Sequence, residues 1–230
     1  MTLQGTEVYR GRHVGGRVSK GYIPYSDETV LELQAHPGRR MTEKEFLEWV
    51  GEKTRAEWVD GEVIVMSPVS TEHDDLQSWL ISILRPFVEA NNLGRLGGSE
   101  LAVRLEKPRA RRLADIFFVS RERVAAFEKN VFAGAPDVVF EIVSPDSTTR
   151  DYRDKLRAYE SSGVKEYWII DPLSHRAEAN ELAKGRYKAI PDKEGAIHSK
   201  VIKGFWLRPS WFWRQPLPKV LDILKQLGVR

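Results

Sequence analysis

The stretch Val138-Val-Phe-Glu-Ile-Val143 constrains the fold more than any other part of the chain. As a strand it places Val138, Phe140 and Ile142 on one face and Val139, Glu141 and Val143 on the other, so both faces are apolar apart from one glutamate. A strand covered on both sides belongs at the centre of a sheet flanked by other layers. An ionised carboxylate there costs several kcal/mol unless it is protonated, paired or bound to a cation. Asp115, inside Leu113-Ala-Asp-Ile-Phe-Phe-Val119, poses the same problem in a second apolar strand, where aspartate is also disfavoured by β-propensity. If the two strands are neighbours, both carboxylates meet at one ion.

The remaining pattern is that of an α/β protein. Residues 1 to 40 lack helical periodicity and read as an extended arm or peripheral strands. Thr42 and Glu45 form a capping-box signature ahead of a short helix. Asp60-Gly61 between β-rich runs predicts a tight hairpin, because both central residues of a type I′ turn need positive φ. From Ser70 to about Asn91, Leu76, Leu80, Ile83, Leu84, Phe87 and Val88 make one helical stripe, with Pro86 expected to kink or shorten it. Strands are predicted at about 100 to 105, 113 to 119, 137 to 143 and 165 to 170. A helix at 148 to 161 lies between the last two, so a crossover unit joins a hairpin-linked sheet and the sheet is mixed. Peripheral strands follow over 175 to 215, with an exposed-looking aromatic patch at Phe205, Trp206, Trp211, Phe212 and Trp213, then a terminal helix from Lys219 to Leu227. The expected organisation is an arm at 1–40, one domain at 41–215, and a C-terminal helix at 216–230 packed on that domain.

Composition narrows the chemistry. The chain has no cysteine, which excludes disulfides, thiolate zinc sites and cysteine nucleophiles and leaves a hard, oxygen-bound metal. No run approaches the ~18 apolar residues of a membrane span, and the first residues lack the apolar segment of a signal peptide, so a cytoplasmic location is expected. A net charge of +3 permits nucleic-acid binding without demanding it. Lys107, Arg109, Arg111 and Arg112 crowd the approach to Asp115, and Arg10, Arg12, Arg17 and Lys20 stud the arm; such clusters either neutralise phosphates or line a solvated loop.

Lys155 is the third candidate. At about 100° per residue it lies roughly 40° from Tyr159 and 60° from Tyr152, on the shoulder of the buried stripe, so its ammonium can reach inward. It would orient a water and stabilise charge on a phosphoryl transition state, or else form an exposed pair with Asp151 one turn earlier. Glu57 is an auxiliary acid or a strand-edge surface residue. His73 in the first helical turn is a possible ligand or a partly buried cap, and Arg150 is a possible phosphate contact.

Glu57-Trp-Val-Asp-Gly61, Ser67-Pro68, His73, Asp115, the run from Ala135 to Asp146, Arg150-Asp151, Lys155, Tyr159 and Gly163-Val-Lys-Glu-Tyr-Trp-Ile-Ile-Asp-Pro172 together resemble the bacterial Uma-two family of predicted endonucleases. That family is similar to the PD-(D/E)XK superfamily, with its restriction endonuclease-like fold, and the resemblance spans about residues 41 to 213. Two positions depart from the superfamily pattern. Ala114 stands in place of the proline before the aspartate, and Val143 stands where a lysine is expected, Lys155 being the position that corresponds. The resemblance implies a central mixed sheet flanked by helices and a magnesium or manganese ion held by Asp115, Glu141 and the Ile142 carbonyl. It also implies a water oriented by Lys155, and DNA as substrate.

The leading expectation is therefore a metal-dependent endonuclease. The alternative is a non-catalytic member of the same fold that binds nucleic acid or protein; binding without turnover would favour it. A carboxylate-pair glycosidase fits only in outline, and activity indifferent to chelator would distinguish it. The aromatic patch near the C-terminus suggests a homodimer contact.

Overall fold

A computed structural model describes residues 40–50, 55–66, 68–144 and 150–229, with the backbone alone at 150. The arm at 1–39, Ser67 and the segment 145–149 lie outside the described residues.

Among the described residues helix α1 (Glu43–Trp49) comes first, and its capping box is present: the Thr42 hydroxyl accepts from the Glu45 N–H, and Glu45 accepts from the Thr42 N–H. Strands β1 (Ala56–Val59) and β2 (Glu62–Val65) form the expected hairpin, with Asp60 at φ 46° and Gly61 at φ 99°. Helix α2 (Thr71–Ala90) follows, capped by the Ser70 side chain. It continues through Pro86, because the last turn buries Phe87 and Val88 in the core and this offsets the missing N–H.

Strands β3 (Gly94–Gly98), β4 (Ala102–Glu106), β5 (Arg109–Arg112), β6 (Ile116–Ser120), β7 (Val131–Ala133) and β8 (Val138–Ile142) come next. A wide helical turn (Arg150–Lys155) leads into α3 (Leu156–Ser162), which Gly163 ends in the left-handed conformation. Then come β9 (Glu166–Asp171), β10 (Arg176–Ala183), β11 (Arg186–Ala189), β12 (Ile197–His198) and β13 (Trp206–Leu207), with the short helices α4 (Pro209–Phe212) and α5 (Val220–Gln226).

These strands form two main sheets. One has the order β2-β1-β5-β4-β7 and the other β11-β10-β9-β8-β6-β3, with β12 and β13 as a separate pair. β8 and β9 are parallel across the α3 crossover, whereas β6 and β8 are antiparallel, so the second sheet is mixed. Its β8 is fully buried, with Val138, Phe140 and Ile142 packed under α2 and Val139 and Val143 packed with Tyr159 and Tyr167 on the other side. This is the alternation expected of a central strand.

Two expectations are corrected, and one strand is added. The aromatic patch is largely interior: Phe205, Trp211 and Phe212 are buried in the α2 core with Ile223 and Leu224 of α5, and Trp206 and Trp213 are half-buried against it. The 109–112 run is a strand rather than a solvated loop, and it buries Arg112. The glycine-rich 94–98 segment, passed over in the sequence, is the edge strand of the second sheet. A Cβ at Gly97 would lie 2.0 Å from the Phe117 ring, so glycine is what lets this strand pair at all.

Asp137, at the mouth of β8, ties the sheet to its loops. It is fully buried, accepts from the Ser120 N–H at 2.8 Å, and pairs with Lys165 at 2.7 Å and Arg123 at 3.1 Å. Burial pushes its carboxyl up, but these donors prevail and hold it below the usual range. Its contribution is therefore present above the ordinary aspartate pKa and lost as pH falls through the lowered folded value. Asp137→Asn should cost about 2–3 kcal/mol at pH 7, read from urea unfolding, and the difference from wild type should shrink in acid.

Candidate active site

Asp115 does not lie within a strand. β5 belongs to the first sheet and β6 to the second, and Leu113-Ala114-Asp115 is the corner where the chain passes between them. The register Ile116↔Phe140, continued by one residue, brings Asp115 abreast of Glu141. The corner is fixed from three directions. The Leu113 N–H donates to Glu57 Oε1 at 3.0 Å, the Ile142 N–H donates to Asp115 Oδ2 at 2.7 Å, and Gln77 Nε2 donates to the Asp115 carbonyl at 2.7 Å.

Glu141 points to the side of the sheet covered by α3. Its Oε2 accepts from Lys155 Nζ at 2.8 Å and its Oε1 from the Tyr159 hydroxyl at 2.9 Å. Lys155 also lies 3.3 Å from Asp151 Oδ1 and 3.9 Å from Glu57 Oε1. The Lys155–Asp151 pair is thus present but buried rather than exposed, both residues being at most 2% accessible. The wide turn at 150–155 advances more than 3.6 residues per revolution, and this turns Asp151 and Lys155 together toward the sheet. Glu57 is buried and forms a 2.6 Å pair with Arg112 Nη1.

Among the described residues, four buried carboxylates (Glu57, Asp115, Glu141, Asp151) therefore share the region with two buried cations, Arg112 and Lys155. Burial, together with Asp115 and Asp151, pushes the Glu141 carboxyl up to about 8 despite the pull of Lys155. Burial works against the Lys155 ammonium, but Glu141, Asp151 and Glu57 hold it protonated well above its ordinary range. Glu57, also opposed by burial, stays low because Arg112 and Lys155 face it. Burial and neighbouring acids raise Glu141, acids hold Lys155 charged, and cations hold Glu57 ionised; carboxylates still outnumber cations among the described residues of the region, an imbalance that an added cation would relieve.

His73 is also here. It is buried in the first turn of α2, with Nε2 3.3 Å from Asp115 Oδ1, yet neither ring nitrogen has a hydrogen-bond partner. Among the described residues no three His, Cys, Asp or Glu side chains gather as a ready metal cage. A magnesium-like ion does not require one, since it keeps several waters and takes one or two carboxylates. The carboxylate excess and the all-oxygen donors at Asp115, Glu141 and the Ile142 carbonyl fit such an ion.

The structure thus gathers Asp115, Glu141, Lys155, Glu57, Asp151 and His73 in one region; the Arg150 side chain lies outside the described residues. Sequence reasoning gave no site role to Tyr159, Arg112 or Gln77. Arg112 alone carried a readable signal: alternation from Ala110 puts it on the buried face of its strand.

A search of curated proteins found no match. Among solved structures, the chain is similar to a crystal structure described as "a putative nuclease belonging to DUF820" from Anabaena variabilis ATCC 29413. The TM-score is 0.65 and the identity 20%, over 75% of this chain and 97% of that one. At that identity the likeness establishes the fold, a restriction-endonuclease-like mixed sheet flanked by helices. Residues 43–210 match the Uma2 family, described as "Putative restriction endonuclease", and the chain belongs to that family.

Proposed function

We propose that the chain is a magnesium- or manganese-dependent endonuclease that hydrolyses phosphodiester bonds of DNA. The reading rests on one observation above all: a protonated lysine from the crossover segment meets a central-strand glutamate at 2.8 Å, abreast of a second buried carboxylate. Asp115, Glu141 and the Ile142 carbonyl would hold the ion, which supplies Lewis-acid stabilisation of the attacking and leaving oxygens.

The chain's own residues do the rest. The Ile142 N–H and Gln77 fix the Asp115 carboxylate and backbone, and Tyr159 fixes the rotamer of Glu141. Lys155, kept charged by three acids, donates to the attacking water and offsets charge that develops on the phosphoryl group. Glu57 acts as an auxiliary acid that positions Lys155 and is itself held by Arg112.

A second reading has one observation in its favour. Both oxygens of Glu141 are already engaged, as a purely structural network would have them, and the chain would then bind nucleic acid without cutting it. Incubation with plasmid DNA separates the two. We expect nicking with magnesium or manganese that stops on chelation; retention of DNA with no cleavage under any divalent metal would favour the second.

A further inference from the structure

Resting on the nucleic-acid reading above, we infer that the substrate is double-stranded and that its phosphate backbone lies in a groove between α2 and the edge strand β3. Arg85, Arg95 and Lys129 are its phosphate contacts.

The groove has a volume of about 570 Å³, and its lining includes Gln77, Ile81 and Arg85 of α2, Arg95 and Gly98 of β3, and one acid, Glu100, which lies 3.8 Å from Arg55. It starts at the site, because Gln77 is the residue bonded to the Asp115 carbonyl. His73, Gln77, Ile81 and Arg85 succeed one another four residues apart, on one inclined line that winds about 120° round the helix from the buried His73 to the exposed Arg85. At 1.5 Å per residue that line covers roughly 18 Å, or about five base steps of duplex axis at 3.4 Å each.

Three features identify the occupant. Arg85, Arg95 and Lys129 are exposed, and none of them forms an ion pair among the described residues, although acids are abundant on this surface. Arg95 is braced over the Phe127 ring at 4.2 Å, which holds its guanidinium in a defined place. Among the described residues no aromatic side chain lines the groove, so it offers charge for a backbone and no stacking platform of the kind that proteins use for unpaired bases.

Gly98 supplies an independent sign. Packing requires glycine at 97, where a Cβ would strike Phe117, but a Cβ at 98 would meet nothing within 4 Å. Gly98 pairs with Ile116, the residue after Asp115, and β3 is the outer strand of its sheet. The missing side chain leaves the groove open beside the acid, where a backbone can approach closely.

The test is fluorescence anisotropy with the full chain in chelator, so that nothing is cut, on a 20-base-pair duplex and on its single strand, titrated with salt. The variants are Arg85→Gln/Lys129→Gln, the same with Arg95→Gln, and Gly98→Phe, each with a melting curve to show that it is folded. On duplex, the triple variant should flatten the log–log salt slope by about 2.7, from ~0.9 per phosphate contact. Gly98→Phe should weaken binding at least tenfold with little change in melting temperature, and wild type should favour duplex. Unchanged slopes in folded variants would overturn the groove while leaving the endonuclease reading intact. Preference for the single strand would overturn the double-stranded assignment. Failure of wild type to bind either probe would sink the nucleic-acid reading, and the groove with it.

Discussion

Asp115→Asn should abolish metal-dependent cleavage, with a fall of at least about 1,000-fold, while the protein remains folded. A loss of that size corresponds to about 4 kcal/mol of transition-state stabilisation, which is the scale at which a bound ion contributes. The substitution is nearly isosteric. Its amide oxygen can still accept from the Ile142 N–H, and the Gln77 bond to the Asp115 carbonyl is untouched. It also removes one charge from a region with more acids than cations, so unfolding in urea should shift by no more than about 1 kcal/mol. Wild type should melt at higher temperature as manganese is added, by mass action, and Asp115→Asn should lose that response. Cleavage near the wild-type rate in the variant would remove Asp115 from the mechanism.

Lys155→Met should be costly twice over. Activity should fall at least about 100-fold, because the ammonium in contact with Glu141 is gone. Stability should fall by about 3–5 kcal/mol, because Glu141 is left buried without the Lys155 ammonium. The two effects separate in a double variant. Lys155→Met/Glu141→Gln removes the stranded charge and should recover much of the stability, measured by urea unfolding, while cleavage stays absent. Recovery of cleavage along with stability would mean that Lys155 serves only the fold.

The sequence carried this site unevenly, for physical reasons. The face on which Glu141 lies follows from period-two alternation in a strand with no ambiguity of register, and β8 obeys it. The pairing of β6 with β8 did not follow from pattern alone, since apolar alternation names a face but not a neighbour. Asp115 read as a residue within a strand because Ile116 to Val119 are uniformly apolar; nothing local shows that the chain changes sheets just before it.

Lys155 was placed by assuming a regular helix. The side chain does reach inward, but its complete burial comes from the wide turn, whose extra residue per revolution no propensity scale reports. For the same reason Asp151 looked like a surface partner. Composition groups Arg112 with its basic neighbours, as phosphate contacts or a solvated loop, whereas alternation turns it inward; Glu57, 55 residues away in sequence, is the main group that offsets its burial. β3 was missed since glycine is depleted in strands, and here it is required by Phe117.

The central claim is that the two acids form a centre for a divalent ion served by Lys155. Crystals soaked in manganese and measured for anomalous scattering test it most directly. The account predicts an anomalous peak between Asp115 and Glu141, beside the Ile142 carbonyl. A map with no peak there, from crystals of a chain that cuts DNA in the same manganese solution, would contradict it.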